Sequence, residues 1–172
     1  KFKNVILIRS VNDGLASGSN KGLAIATGDY LLYLGSDAFP EKNTIKEMLE
    51  YMQLNPQVGV STCKLVTRDG NLDMDAHRGF PTPWASITHF SRINKLFPKS
   101  KLFNQYFLGD RNLNKPHEID LCISHFMLID RQVFTKIGSW DTDFFLFGED
   151  VDFCYRVKQA GFKIMYLPQW KA

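Results

Sequence analysis

The sequence predicts an α/β fold: a mostly parallel sheet with helices packed on its faces. Two short apolar runs without alternation, residues 4–8 (NVILI) and 30–34 (YLLYL), read as strands buried on both sides. Helical periodicity follows the second run, where Ile45, Met48, Leu49 and Met52 form one stripe. Strand, helix, strand, helix, strand at these spacings is the pattern of βαβ units, and ligands of such sheets bind beyond the carboxyl ends of the strands.

The elements follow in order. Residues 12–19 are a Gly/Ser/Asn loop, with Ser19 placed to cap a short helix through Leu23 and Ala26 and Gly28 to stop it. The strand 30–34 runs into Gly35-Ser36-Asp37, Pro40 opens the next helix, and Asn55-Pro56 closes it. Residues 58–66 are a third strand, followed by a turn at Asp69-Gly70-Asn71. Residues 74–118 carry Pro81, Pro83, Pro98 and Pro116, scattered aromatics, and basic residues at 92, 95, 99 and 101. They read as a long excursion with two short helices, and excursions of this length are more often binding surface than filler. Regular structure resumes with a strand at 121–129, a helix near 132–137, an acidic helix start at Glu149, and a last strand at 163–167.

The chain of 172 residues is one domain's worth, with 44% hydrophobic and 23% charged residues, an ordinary globular balance. A net charge of +3 gives no reason to expect nucleic acid and is compatible with anionic substrates. Cys63, Cys122 and Cys154 each sit in an apolar run and never as C-x-x-C, which fits buried reduced thiols and a cytoplasmic setting. No apolar run approaches the ~18 residues of a membrane span, and no signal peptide is recognisable.

Three constellations carry chemistry. In the first, Asn12-Asp13-Gly14 through Asn20-Lys21-Gly22, small residues before a helix suit a diphosphate or simply a tight turn. In the second, Asp37 at a strand end suits a hard divalent ion bridging phosphates, or a helix cap. In the third, Glu149, Asp150 and Asp152 open an amphipathic helix, where free N–H groups and the dipole favour ionised carboxylates. An ionised carboxylate at a cleft edge is what a general base requires; helix capping is the plainer reading.

In this order and spacing the chain resembles the family 2 glycosyltransferases, inverting nucleotide-sugar enzymes of the Rossmann-like GT-A fold. Asn12, Gly14, Asn20, Gly22, Ala26, Gly28 and Tyr30 match that family's glycine-rich stretch, and Leu32 to Asp37 its strand ending in a DXD-like carboxylate. Gly138, Asp141, Phe144, Phe145, Glu149, Asp150, Asp152, Cys154 and Arg156 match its acidic segment. Arg78-Gly79-Phe80-Pro81-Thr82 is similar to the rhamnosyltransferase-type branch, which uses UDP- or dTDP-sugars in bacterial surface polysaccharide synthesis.

The resemblance implies roles. Residues 1–70 would be the nucleotide-sugar-binding part and 71–172 the acceptor-binding and catalytic part of one GT-A-like domain. Asp150 would be the catalytic base, supported by Glu149, Asp152 and Arg156, with Asp152 and Arg156 able to pair at i,i+4. Asn20, Gly22, Asp37 and His125 would meet the donor, and Trp140 and Asp141 the acceptor. Asp37 would hold Mn²⁺ or Mg²⁺; Gly35 and Ser36 stand where many relatives carry Asp or Asn and then another residue, so metal binding would rest on Asp37 alone. His125 stands where the branch usually has Gly, and reads either as a phosphate contact or as a half-buried histidine. A glycan or lipid-linked acceptor, peripheral contact at the inner membrane face and self-association are compatible expectations. The resemblance also implies that the family's first strand–helix–strand, with the Asp that reads the nucleobase, precedes residue 1, and that a metal-binding His follows Ala172. The alternative is a non-catalytic module of the same fold that binds a glycan or protein; Asp37 and Asp150 together argue against it, because a binder needs neither.

Overall fold

A computed structural model describes residues 4–172; the first three residues of the expected nucleotide-sugar-binding part lie outside the described residues. The elements are α1 (Leu15–Ile25), β1 (Tyr30–Leu34), α2 (Thr44–Leu54), β2 (Val58–Lys64), a 3-10 turn (Met74–Ala76), α3 (Pro83–Phe90), α4 (Ile93–Leu96), β3 (His117–Ile119), β4 (Phe126–Asp130), α5 (Arg131–Ile137), α6 (Glu149–Gln159) and β5 (Lys163–Lys171).

The α/β class is as expected, but the sheet is mixed rather than mostly parallel. Its order is β1-β4-β2-β5-β3. Only β2 and β5 pair in parallel; β4 enters antiparallel between β1 and β2, and β3 pairs antiparallel with β5. The βαβ reading of β1-α2-β2 holds for direction, yet the two strands are not neighbours. The strand that separates them comes from the far side of the long excursion, which no local spacing announces.

The two faces of the sheet divide the core. Along β4, Phe126 and Leu128 point to a layer with Met48 and Met52 of α2. Met127 and Ile129 point the other way, to Val133 of α5 and to Phe153, Cys154 and Val157 of α6. This is the period-two alternation of a strand buried on both faces. Gly59 of β2 allows the second layer to close: a Cβ there would meet Val133 and Phe162 at 2.7 and 2.8 Å. Pro168 cannot donate to the ladder, and the register of β5 on β2 jumps from Leu167 to Lys171 across it. The displaced Trp170 donates to Glu47 Oε2 at 2.6 Å and so ties α2 to the sheet.

Other expectations need correction. Residues 4–8 form no strand: no strand of the sheet lies beside them, and Ile6 and Leu7 are 74% and 73% exposed. A strand needs a partner for its N–H and C=O groups. α1 starts at Leu15 with Gly14 as its N-cap, so Ser19 lies inside the helix and bonds back to the Leu15 carbonyl at 2.7 Å. α2 begins at Thr44 rather than at Pro40, because Asn43 takes a left-handed conformation at φ 69°. Of residues 121–129, only those from Phe126 onward join the sheet as a strand; Leu121 makes an isolated bridge to Arg78. All three cysteines are free and buried, as expected. Among the described residues, no helix is long and apolar enough to cross a membrane.

Candidate active site

The N-terminus of α6 is approached through two left-handed residues, Phe147 at φ 64° and Gly148 at φ 94°. A side chain at Gly148 would come within 2.9 Å of the Phe144 ring, so this turn is open only to glycine. It delivers Glu149, Asp150 and Asp152 into the first helical turn. None of them is the N-cap, which is Gly148 with no side-chain cap bond.

Asp150 lies in a tight set of contacts. Its Oδ1 accepts the Val151 N–H at 2.9 Å, and its Oδ2 lies 3.4 Å from Arg78 Nη2. The Asp150 and Arg78 side chains are only 13% and 14% exposed. Burial pushes the Asp150 carboxyl above its ordinary value, and the Arg78 cation opposes that rise without cancelling it. Arg78 is itself well fixed. Its backbone bridges to Leu121, its Nη1 donates to the Tyr106 hydroxyl at 3.1 Å, and Asp75 lies 3.9 Å away. Glu149 is buried, and its Oε2 has no hydrogen-bond partner.

Several of the remaining expected residues make contacts within the protein. Arg156 pairs with Asp152 at 2.7 Å through Nε, as the i,i+4 spacing implies, and its Nη1 donates to the carbonyls of Ile137 and Ser139. It thereby fixes the loop that leads to Trp140. Trp140 is buried and stacks on Phe153 at 4.2 Å. Asn20 donates to the Trp140 carbonyl at 2.8 Å and accepts the Trp140 N–H at 3.0 Å. Both halves of its amide are therefore engaged by the protein. Gly22 lines a recess of about 470 Å³ under α1, beside Tyr33 and Trp140. Asp141 accepts the Asp143 N–H at 3.0 Å and so closes a surface turn.

Asp37 and His125 form a second centre. His125 Nε2 is 3.9 Å from Asp37 Oδ2, both side chains are exposed, and Gly35 N–H donates to the His125 carbonyl at 2.9 Å. Gly35 permits the approach, since a Cβ there would lie 3.0 Å from Asp37 Oδ1. The two residues line a recess of about 330 Å³ with Thr67, Arg68 and Asp73. Among the described residues no cluster of three His, Cys, Asp or Glu could hold a metal by itself. Two protein ligands, Asp37 and His125, would be available to a divalent ion here, and further oxygens would have to come from a bound ligand.

One short segment joins the two centres. Leu121 bonds to the Arg78 backbone and His125 to Gly35, and Cys122 O receives the Cys154 thiol at 3.8 Å from α6. Leu121 and His125 are four residues apart, so their Cα atoms lie within about 14 Å of each other. Gly22, in contrast, lines the separate recess under α1, and Asn20 is held by the Trp140 backbone. Sequence reasoning missed Arg78 as a site residue and missed the pairing of His125 with Asp37. Arg78 was visible only as part of a motif, and 72 residues separate it from Asp150.

An α/β sheet with an acidic helix start on one side and a strand-end carboxylate on the other is the arrangement of a GT-A type glycosyltransferase. The sequence pattern of glycosyl transferase family 2 matches residues 1–138, and the chain belongs to that family. It is 24% identical over 166 residues to rhamnosyltransferase WbbL of Escherichia coli (strain K12), covering 90% of this chain and 59% of that protein. The chain thus spans little more than half the length of this relative. In structure it is similar to GalNAc-T7, crystallised with UDP, GalNAc and Mn²⁺, at a TM-score of 0.62 and 16% identity over 92% of this chain and 29% of that one. That likeness concerns the fold.

Proposed function

We propose that the chain is the catalytic part of an inverting glycosyltransferase that moves a sugar from a UDP- or dTDP-linked donor to a hydroxyl of a glycan or lipid-linked acceptor. The observation that carries this reading is Asp150: a half-enclosed carboxylate at a helix N-terminus, raised in pKa by burial and held by Arg78. A base works best when its pKa moves toward the working pH, and burial moves Asp150 that way. In the proposed step Asp150 takes the proton of the acceptor hydroxyl. The freed oxygen forms a bond to the anomeric carbon from the face opposite the diphosphate. The bond from that carbon to the diphosphate oxygen breaks, its electron pair leaves with the nucleoside diphosphate, and the configuration inverts.

A divalent ion, Mn²⁺ or Mg²⁺, would be held by Asp37 and His125 and would supply charge neutralisation to the leaving diphosphate. Arg68, in the same recess, adds a cation facing the same charge. Residues 1–70 would carry most of the donor contacts and residues 71–172 the acceptor and the base. The likeness to a rhamnosyltransferase supports a rhamnosyl donor.

The test is Asp150→Asn in the full-length enzyme. Turnover should fall about a hundredfold or more while donor binding is kept. Near-normal turnover would remove Asp150 as the base. The anomeric configuration of the product, read by NMR from a donor of known anomer, tests inversion separately. The presence of only two protein ligands, Asp37 and His125, favours one other reading, a binding module without transfer activity; it predicts donor-independent glycan binding and no turnover in the wild type or in Asp150→Asn.

A further inference from the structure

The excursion between the 3-10 turn and β3 presents a surface that the transfer chemistry does not use. α3 buries Ala85 and Thr88 against the protein, while Trp84, Ile87 and Phe90 emerge on its other side. These three recur every third residue and so share one outward arc of the helix. The connection continues the same surface. Trp84 Nε1 donates to the Leu102 carbonyl at 2.8 Å, and Phe103 lies between Trp84 and Phe97 with ring centroids 6.1 and 5.1 Å away. Leu96, Phe97 and Leu102 stand beside them in the open, and Phe90 and Leu96 are 81% and 75% exposed.

The charge on this surface is of one sign. No Asp or Glu occurs between Asp75 and Asp110, whereas Arg92, Lys95, Lys99 and Lys101 all fall there and all are exposed. None of the four forms an ion pair among the described residues. Large apolar side chains that face solvent beside unpaired cations match the boundary of an anionic bilayer. There the apolar tips enter the acyl region and the long basic side chains reach lipid phosphates. An acidic protein partner would satisfy the cations, but a helix face of Trp, Ile and Phe spread over a short helix and a loop offers it no groove.

We propose that α3, α4 and the following loop dock the protein on an anionic lipid surface, with Trp84, Ile87 and Phe90 inserted and the four cations on headgroups. The proposal is independent of the catalytic roles of Asp150 and Asp37, since none of those residues lies on this face.

The experiment is co-sedimentation of the full chain with vesicles of phosphatidylcholine alone and of phosphatidylcholine with an equal part of phosphatidylglycerol. Binding is expected to the anionic vesicles only, and to fall with added salt. Serine at all four basic positions should weaken it by up to about a thousandfold. The double variant Ile87→Ser and Phe90→Ser should weaken it as well. Brominated lipid should quench part of the tryptophan fluorescence of the wild type and not of Trp84→Phe, since Trp140 is buried and Trp170 packs on Tyr51 and Glu47 of α2. Every replaced side chain is exposed, so circular dichroism should be unchanged. Equal sedimentation with both vesicle types, no sedimentation with either, or full binding by the double variant would each overturn the proposal. A concentration-dependent dimer in light scattering without vesicle binding would give this face to a second copy of the chain instead.

Discussion

Arg78 Nη2 lies 3.4 Å from Asp150 Oδ2, and both side chains are largely withdrawn from solvent. Two opposing effects meet in this pair. Burial favours the neutral acid, and the guanidinium favours the carboxylate; burial is the larger. Removing the cation should therefore raise the pKa of Asp150 further. In Arg78→Met the acid limb of the pH–kcat/KM profile should move to higher pH. The fold should also lose roughly 3 kcal/mol, because a buried charge is left without its partner. Arg78→Lys should preserve part of the effect on the profile but not the contact with Tyr106, which depends on the breadth of the guanidinium. An acid limb that stays in place in Arg78→Met would show that Asp150 does not govern it.

Asp37 and His125 give a prediction about metal. Mn²⁺ should tighten nucleotide-sugar binding by the full-length protein in titration calorimetry, and Asp37→Ala should abolish that gain. His125→Ala should reduce it, because a 3.9 Å separation places its Nε2 within reach of the same ion or phosphate. Affinity that is equal in EDTA and in Mn²⁺ would mean that the recess binds its anion through Arg68 and backbone groups alone.

Asn20 is expected to act on stability first. Its amide holds the Trp140 backbone from both sides, and Trp140 carries the stack on Phe153 beneath α6. Asn20→Ala leaves one carbonyl and one N–H without partners and should cost about 2 kcal/mol in urea denaturation. Asn20→Asp should be at least as harmful, since its second oxygen then faces the Trp140 carbonyl. An unchanged urea midpoint together with weakened donor binding would instead return Asn20 to the donor site.

The legible parts of this molecule were those with local causes. The strand at residues 30–34, the turn at Gly70 and the acidic start of α6 follow from runs, glycines and periodicity, and they form where these signals place them. The parts not legible depend on pairing across the chain. β4 pairs with β1 and β2 from about a hundred and seventy residues' worth of possible partners, and its antiparallel entry turns a mostly parallel sheet into a mixed one. The same pairing brings His125 to Gly35 and, through Leu121, holds Arg78 near Asp150. Residues 4–8 have the composition of a strand but no strand among the described residues pairs with them, and composition alone cannot supply the neighbour.

The last prediction concerns acid stability. His77 is fully buried, with its ring centroid 4.8 Å from His117 and 4.9 Å from Tyr166. His117 Nδ1 faces the Lys115 carbonyl at 2.8 Å and so carries its proton there. Its Nε2 then accepts from His77 Nε2–H, and both rings are neutral. Burial, and after it the neighbouring His117, lower the His77 pKa to about 4. In the unfolded chain His77 takes up its proton near pH 6.5, so the unfolded state binds more protons below that value. Stability is complete above about pH 6.5 and should be lost as pH falls toward 4, by roughly 3 kcal/mol if this group acts alone. Urea midpoints measured across that window should decline in the wild type and stay flatter in His77→Phe, whose ring can still pack against Tyr166. Carboxylates that titrate near pH 4 act on both proteins equally, so the difference between the two curves isolates the imidazole. Parallel curves would assign the acid sensitivity to some other group.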